Sequence, residues 1–394
     1  MDEPRLATSA EIMRAAATAK ASGRLGIDTE FISEGRYRPL LCLVQVVVDD
    51  PGGASVVLID ALAGDGPVQP IAALLADPDV EVDLHAGRQD VAILRRAWDT
   101  DVVNIFDTQI AAGFAGQSAQ SGYGNLIGAM LGRRLAKTAS YTRWDSRPLS
   151  AEQLRYAVED VAHLLELTDE LKRRLRQTGR LEWASEECRR IESASEERDP
   201  DTVWERLPRI SQLDPRSRAV ARALAAWRER AASTEDRPVG SVLADQVVVE
   251  VARRQPSTLD DLARIRGVHR SILNRRGDRI LSAVAQGIQD PSIPRERAQP
   301  RSEPADVPVI ALAEAWLRAR ALEAGLAYEL LSSRAELEAV VGAVRRGEPE
   351  PPVRALTGWR EQLVGEELRS LVSGKNAIAV DGELHLRLFD AQGV

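Results

Sequence analysis

Three strand-like runs follow one another early in the chain, and this succession limits the folds open to it. Residues 24–31, 39–48 and 54–60 are rich in Val, Ile and Leu, and each is short enough for a strand. A further short run at 80–85 then alternates with helical patterns at 67–76 and 87–98. Three consecutive strands followed by such alternation predict a mixed sheet flanked by helices, the α/β class.

The rest of the chain is typical of helical proteins. Asp214 can cap a helix and Pro215 can occupy its first turn. Helical patterns continue to about residue 374, interrupted by five prolines between 291 and 308, and residues 376–389 predict a short hairpin. The helical blocks on either side of these prolines share a spacing of apolar residues, which indicates a weak internal repeat.

Several classes of protein are disfavoured by composition. No apolar run approaches the roughly 18 residues of a membrane span. Met1 is followed by Asp2 and Glu3 rather than by the apolar core of a signal peptide. Cys42 and Cys188 are the only cysteines, so neither a disulfide framework nor a cysteine metal site is expected. We therefore expect a cytoplasmic protein without a membrane partner.

Charge is distributed unevenly along the chain. The whole sequence carries a net charge of −8, but residues 212–287 contain 14 basic and 9 acidic side chains. Residues 301–394 contain 11 basic and 15 acidic side chains. One internal helical module is therefore basic and could hold a phosphate backbone, although an ordinary solvated surface would explain the same count.

The first candidate site residues lie in the first strand. Side chains alternate along a strand, so Asp28 and Glu30 project from the same face, about 7 Å apart. Two like charges on an otherwise apolar strand are costly unless a cation accompanies them. A solvated acidic face on an edge strand is the simpler alternative.

Two further acidic positions occur at helices. Asp90 falls in the first turn of the helix after the 80–85 strand, where an acid would also complement the helix dipole. Ser150 and Gln153 predict a capping box that begins a later helix. Tyr156 and Asp160 then lie one turn apart on one face of that helix, where they could simply be solvated.

One chemistry explains these residues together. Hydrolysis of a phosphodiester needs an activated water and neutralisation of the charge on the entering and leaving oxygens, and two metal ions about 3.5–4 Å apart can supply both. Mg²⁺ and Mn²⁺ prefer carboxylate oxygens. Asp28, Glu30, Asp90 and Asp160 could hold two such ions. Tyr156 could orient the water, but its ordinary pKa makes it a poor base.

With these motifs identified, the chain resembles the DEDDy exonucleases and, within them, the ribonuclease D family. The resemblance rests on six short strings in family order, each weak alone: IDTEF at 27–31, PLLCLVQ at 39–45, HAGRQD at 85–90, FDTQI at 106–110, RPLS at 147–150 and YAxxDV at 156–161. It implies an RNase H-like fold, metal-binding roles for Asp28, Glu30, Asp90 and Asp160, and a water-orienting role for Tyr156.

The resemblance also divides the chain. It implies an exonuclease domain at 1–195, a linker at 196–211, a basic nucleic-acid-binding HRDC domain at 212–289, a Pro-rich linker at 290–308 and a divergent second HRDC-like domain with a hairpin at 309–394. The implied fold is thus an α/β domain followed by two small all-α domains.

The implied activity is a 3′→5′ exoribonuclease that releases nucleoside 5′-monophosphates. RNA with a free 3′ end, such as a tRNA precursor, is the expected partner, and no obligate protein partner is evident. A DNA exonuclease is one alternative, although no polymerase or helicase sequence accompanies these motifs. A silent RNA-binding protein is another, which the occupation of all five site positions disfavours.

Overall fold

A five-stranded mixed sheet organises the first half of the protein. The computed structural model describes residues 3–64, 68–135, 143–290 and 303–391. The strands are β1 Arg24–Ile32, β2 Leu40–Asp50, β3 Gly53–Asp60, β4 Glu81–Leu84 and β5 Ile105–Asp107. Their order is β3-β2-β1-β4-β5, with β1 to β3 antiparallel and β1, β4 and β5 parallel. The predicted mixed sheet is confirmed.

Helices cover both faces of this sheet. Their bounds are α1 Ser9–Ser22, α2 Gln69–Leu75, α3 Arg88–Trp98, α4 Thr108–Phe114, α5 Tyr123–Leu131, α6 Ala151–Ala162, α7 Leu164–Gln177 and α8 Leu181–Arg189. Neither α1 nor β5 was expected from the sequence patterns. The start of α1 is nevertheless encoded, because Thr8 and Glu11 form a capping box there.

The two faces of the central strand β1 differ in chemistry. Leu25 and Ile27 are fully buried in a core with α1, α2 and α3. The opposite face carries Gly26, where an added Cβ would lie 2.5 Å from Val47 and 3.0 Å from Leu164. Only glycine permits this approach between β1, β2 and α7, and the next side chain on the same face is Asp28.

The predicted long helix after Ser150 is two helices. The capping box of Ser150 and Gln153 begins α6 as predicted. At His163 the backbone leaves the helical region with φ −112° and ψ 9°, and α7 starts at the next residue. The break lets α6 cover the β2–β3 side while α7 covers β1, β2 and β4.

A helical module follows the first domain. It contains α9 Pro215–Glu235, α10 Val239–Val242, α11 Asp245–Arg254, α12 Leu259–Ala263 and α13 Arg270–Gln289. Segment 196–211, which we expect to be a linker, contributes two 3₁₀-helices, Val203–Arg206 and Ile210–Gln212. Trp204, Leu207 and Ile210 are buried in the core of the module, so the second half of that segment is part of it.

The C-terminal module is also helical. Its elements are α14 Asp306–Ala324, α15 Tyr328–Leu331, α16 Arg334–Arg346, a 3₁₀-helix Arg354–Leu356, and a continuous run of α17 Gly358–Arg360, a π-helix Glu361–Gly365 and α18 Glu366–Val372. The predicted hairpin is confirmed as β6 Asn376–Val380 and β7 Leu386–Asp390. Most of the Pro-rich linker expected at 290–308 lies outside the described residues.

The C-terminal module shares a hydrophobic core with the first domain. Phe114 and Leu167 of the first domain belong to the same buried cluster as Trp316, Leu331 and Trp359. The ring of Trp359 stacks on Trp183 with centroids 5.0 Å apart. The two units are thus joined by packing and not only by the chain.

No helix in the described ranges is long and apolar enough to cross a lipid bilayer.

Candidate active site

Asp28 and Glu30 lie on the face of β1 that is covered by α6 and α7. The pairing of β1 with β2 places Asp28 opposite Gln45 and Glu30 opposite Leu43. Leu43 packs in a cluster with Ala157 of α6, and Val47, four residues along β2, packs with Val161 of α6. The register shifts directly after Glu30, where the strand has an irregularity. The two carboxylates therefore point beneath the helix that carries Tyr156 and Asp160.

Asp90 approaches the same region from the other side of the sheet. It lies in the first turn of α3 and is 8% exposed. The hydroxyl of Thr29, which is on the α3 side of β1, donates a hydrogen bond to the Asp90 carboxylate. This bond ties α3 to β1 between the two strand carboxylates. Sequence reasoning did not predict a role for Thr29.

The loop before α3 is held by Asp107. Its carboxylate accepts hydrogen bonds from the backbone amides of Ala86 (3.2 Å) and Gly87 (2.8 Å). The same side chain caps α4 by accepting from Gln109 at 2.8 Å. His85 lies at the start of this loop, with Nδ1 2.9 Å from the Thr108 hydroxyl. Asp107 thus fixes the position from which α3, and with it Asp90, begins.

Helix α6 presents Tyr156 and Asp160 one turn apart. The segment before it is anchored by Arg147, whose guanidinium donates to Asp60 (2.7 Å) and to the Cys42 carbonyl (2.9 Å). The ring of Trp144 lies 6.1 Å from that of Tyr156. These contacts attach the RPLS segment at 147–150 to β2 and β3, and so hold the start of α6 against the sheet.

Burial raises the pKa of all four carboxylates, and the charges of the other members raise that of Asp28 and Glu30 further. Burial, followed by the charges of Asp90, Asp160 and Glu30, raises the pKa of Asp28 well above its usual value. Burial and the charges of Asp160 and Asp90 raise the pKa of Glu30 to about 8. Burial likewise raises the pKa of Asp160 to about 6, and that of Asp90 above its ordinary value. The four groups therefore lie near enough to repel one another.

The donor set suits a hard divalent cation. The acidic charges that act on Asp28 and Glu30 are those of the same cluster, so ionisation of all four groups needs an external positive charge. Within the described residues, no three His, Cys, Asp or Glu side chains are already arranged to hold a metal ion. The carboxylates suit a divalent metal because their oxygens are the ligands that it prefers and because its charge would offset their repulsion. They do not form a cage in advance.

Burial also affects the aromatic hydroxyls beside the cluster. The pKa of Tyr156 is raised, first by burial and then by the charges of Asp160 and Glu30. Tyr123 on α5 shows the same direction, from burial and from the charges of Asp160 and Asp28. Its ring lies 5.4 Å from that of His85. Both tyrosines are therefore kept as neutral hydroxyls.

Comparisons with known proteins show the family of this chain. The family model described as 3′-5′ exonuclease matches residues 6–176, and the model described as HRDC domain matches residues 217–284. Ribonuclease D of Gluconacetobacter diazotrophicus is 37% identical, covering 91% of this chain and 90% of that protein. Ribonuclease D of Granulibacter bethesdensis is also 37% identical, covering 96% of this chain and 95% of that protein.

A solved structure extends the likeness to the fold. The crystal structure of Escherichia coli RNase D, described as an exoribonuclease involved in structured RNA processing, covers 94% of this chain and 99% of its own at a TM-score of 0.79 and 27% identity. The mixed sheet and the matching domains define a 3′→5′ exonuclease, a class of enzyme that depends on divalent metal. The chain belongs to the ribonuclease D family of 3′→5′ exoribonucleases.

Proposed function

We propose that this protein removes nucleotides one at a time from RNA 3′ ends and releases nucleoside 5′-monophosphates. In this proposal Asp28, Glu30, Asp90 and Asp160 hold two divalent ions, Mg²⁺ or Mn²⁺. The observation that carries it is the convergence of four carboxylates from β1, α3 and α6, in which the charges of Asp90 and Asp160 act on both Asp28 and Glu30. Such a cluster is costly in a metal-free fold and favourable around cations.

In this reaction the metal ions and the protein chain would have different roles. Bound divalent ions would neutralise the carboxylates and the charge that develops on the phosphate during hydrolysis. The chain places the ligands: Thr29 holds Asp90 against β1, and Asp107 holds the loop before α3. Gly26 lets α7 approach the sheet beside Asp28.

Tyr156 orients the attacking water. Its hydroxyl lies beside Asp160, and its raised pKa keeps it protonated at neutral pH. A neutral phenol can donate one hydrogen bond and accept another, so it can align a water without removing its proton. We therefore assign Tyr156 a positioning role and no role as general base.

A polar cleft at the end of β1 and the start of α3 would receive the 3′-terminal strand, although none of the four carboxylates lines it. It has a volume of about 800 Å³ and is lined by Ser33, Tyr37, Arg88 and Arg206, among others. Ser33 follows β1 three residues after Glu30, and Arg88 begins α3 two residues before Asp90. Arg88 and Arg206 are exposed and form no ion pair within the described part of the chain. Free guanidinium groups at this position can bind phosphate.

The helical module 212–289 would hold the body of the RNA. It is the basic part of the chain, and it docks on the exonuclease domain next to the cleft, where Tyr37 donates to Glu229 of α9 at 2.7 Å and Arg36 lies 2.7 Å from Asp236. This position suits a domain that grips RNA while its 3′ strand reaches the carboxylates.

We propose that the C-terminal module is a diverged second HRDC domain. Its element order repeats that of the first helical module: a long helix, a four-residue helix, a second helix, a short helix (α-helical in the first module, 3₁₀ in the second) and a final helical run. The four-residue helices are Val239–Val242 and Tyr328–Leu331. Its acidic charge and its core shared with the exonuclease domain favour a structural role over RNA binding.

Product analysis on a tRNA with an added 3′ tail tests the proposal. We expect stepwise shortening with 5′-mononucleotides as products in Mg²⁺ or Mn²⁺, and none in EDTA. A tRNA precursor is the proposed substrate class, in keeping with the structured RNA processing attributed to the Escherichia coli protein. Faster cleavage of a matched DNA oligomer would favour a DNA exonuclease. RNA binding without metal-dependent cleavage would identify a silent binder.

A further inference from the structure

Gln45 has a buried side chain with unmet hydrogen-bonding capacity. It lies in the middle of β2 and is 0% exposed. Neither its Nε2 nor its Oε1 has a hydrogen-bond partner among the described residues. A primary amide buried in this way is unfavourable, and such groups in native proteins nearly always have a partner. An apolar residue would suit an ordinary strand interior better.

The surroundings of Gln45 point to the carboxylate cluster. Across the sheet it is paired with Asp28 on β1 and with Leu58 on β3. Directly paired residues present their side chains on the same face, with Cβ atoms about 4.5–5.5 Å apart. Its neighbours along that face, Leu43 and Val47, pack against α6. The amide therefore lies beneath the helix that carries Asp160, and Asp28 is its polar neighbour in the row.

We propose that Gln45 is a positioning residue for the metal site, and that its amide donates a hydrogen bond to the Asp28 carboxylate when divalent ions are bound. This rests on the proposed function, because it assigns Asp28 to the metal. A glutamine suits the task, since its terminal amide rotates broadly about χ3 and offers two N–H donors. A donor that orients a ligating carboxylate typically changes metal affinity by about 10- to 100-fold.

The proposal predicts opposite changes in two measurements on one variant. Gln45→Met is close in volume and removes the unpartnered amide. In EDTA we expect the melting temperature of the exonuclease domain to rise by about 2–4 °C. The affinity for Mn²⁺ measured by calorimetry is expected to weaken by about 10-fold. With RNA and saturating metal, kcat should fall while KM for RNA stays near the wild-type value.

Tyr328→Phe is a matched control. Tyr328 in the C-terminal module also has a buried hydroxyl without a hydrogen-bond partner in the described residues. We expect Tyr328→Phe to leave the affinity for Mn²⁺ unchanged. Gln45→Met that keeps wild-type Mn²⁺ affinity would overturn the proposal. A lower melting temperature in EDTA would also overturn it, because Gln45 would then be supporting the metal-free fold.

The assignment of the carboxylates is tested separately. Asp28→Asn is expected to abolish measurable Mn²⁺ binding whatever Gln45 does. Failure of the wild-type protein to bind Mn²⁺ would refute the proposed metal site itself. Wild-type binding that is lost in Asp28→Asn but kept in Gln45→Met would refute only the role of Gln45.

Discussion

The guanidinium of Arg360 lies 2.6 Å from the carboxylate of Glu187, and both side chains are buried where the C-terminal module meets the exonuclease domain. Burial alone would raise the pKa of Glu187, but its hydrogen bond to Arg360 lowers that pKa below the ordinary value. The indole of Trp359 donates to the same carboxylate at 3.4 Å. The pair thus joins two modules that are far apart in the chain.

Arg360→Met should destabilise this junction strongly. It leaves the Glu187 charge buried without its cation, which typically costs about 3–5 kcal/mol. Urea unfolding followed by tryptophan fluorescence would measure the loss, because Trp183 and Trp359 lie at the junction. The double variant Glu187→Leu with Arg360→Met should recover most of the stability. A single variant as stable as the wild type would show that the pair contributes little.

Asp28→Asn and Asp160→Asn should each abolish cleavage without unfolding the protein. Each removes one metal ligand, and a loss of several kcal/mol of transition-state stabilisation lowers kcat by at least about 100-fold. Each also removes one charge from a repulsive cluster, so the melting temperature in EDTA should equal or exceed that of the wild type. Glu159→Gln on the same helix is the control and should retain activity.

Tyr156→Phe should separate metal binding from hydrolysis. The substitution keeps the ring that lies near Trp144 but removes the hydroxyl beside Asp160. We expect kcat to fall by about 100-fold, the scale of a reactant that is no longer held in position. The rise in melting temperature on adding Mg²⁺ should stay as in the wild type. Loss of that rise would mean that Tyr156 serves the metal site and not the water.

The stability of the metal-free protein should fall as pH rises from 6.5 to 8.5. The pKa of Glu30 is raised to about 8 from 4.5, so the folded state binds more protons than the unfolded state below pH 8. This proton-linked stability is lost progressively between pH 4.5 and about pH 8 and changes little above that. The window lies above the titration of His85, whose pKa is lowered by burial. Melting curves in EDTA would measure the slope, and Glu30→Gln should make it less steep, with the raised pKa of Asp28 contributing the remainder.

Stabilisation of the protein by added Mg²⁺ should increase between pH 6.5 and pH 8.5, whereas the stability of the metal-free protein falls. Metal binding must displace protons from the carboxylates, so it becomes tighter as pH rises. The Mg²⁺-induced increase in melting temperature should therefore be larger at pH 8.5 than at pH 6.5. An increase that does not depend on pH would place the bound ion away from Glu30.

Arg88→Ala and Arg206→Ala should weaken RNA binding with little change in kcat. Both guanidinium groups line the cleft and are exposed. Each phosphate contact that is lost should reduce the slope of log Kd against log salt by about 0.7 for a single strand. Arg14→Ala, an exposed arginine on α1, is the control. An unchanged salt slope in the double variant would exclude the cleft as the path of the 3′ strand.

Strand boundaries and helix starts could be predicted from the sequence because they depend on residues that are close together in the chain. The boundaries of β1, β2 and β3 agree with the apolar runs to within two residues, and the α6 start follows from Ser150 and Gln153. Because side chains alternate between the two faces of β1, Asp28 and Glu30 were also expected on the face opposite to Ile27. Helix α1 was missed although Thr8 and Glu11 signalled it, because its alanine-rich sequence lacks a clear apolar stripe.

The remaining parts depend on contacts between distant segments. The Thr29–Asp90 hydrogen bond joins positions 61 residues apart, and the position of Gln45 beside Asp28 depends on strand register. The break at His163 depends on how α6 and α7 divide the sheet between them. Nor does any sequence motif pair Glu187 with Arg360, 173 residues away. Such relationships follow from the assembled fold.

The shared core has a consequence for synthesis on the ribosome. Phe114 and Leu167 are covered by residues such as Trp316 and Leu331, which are translated much later. At about 5–20 residues per second, the nascent exonuclease domain would wait roughly 10–40 s between the end of α8 and the end of α18. During that interval its apolar surface is open to chaperones or to other nascent chains. Truncations that end before residue 309 would keep that surface exposed permanently.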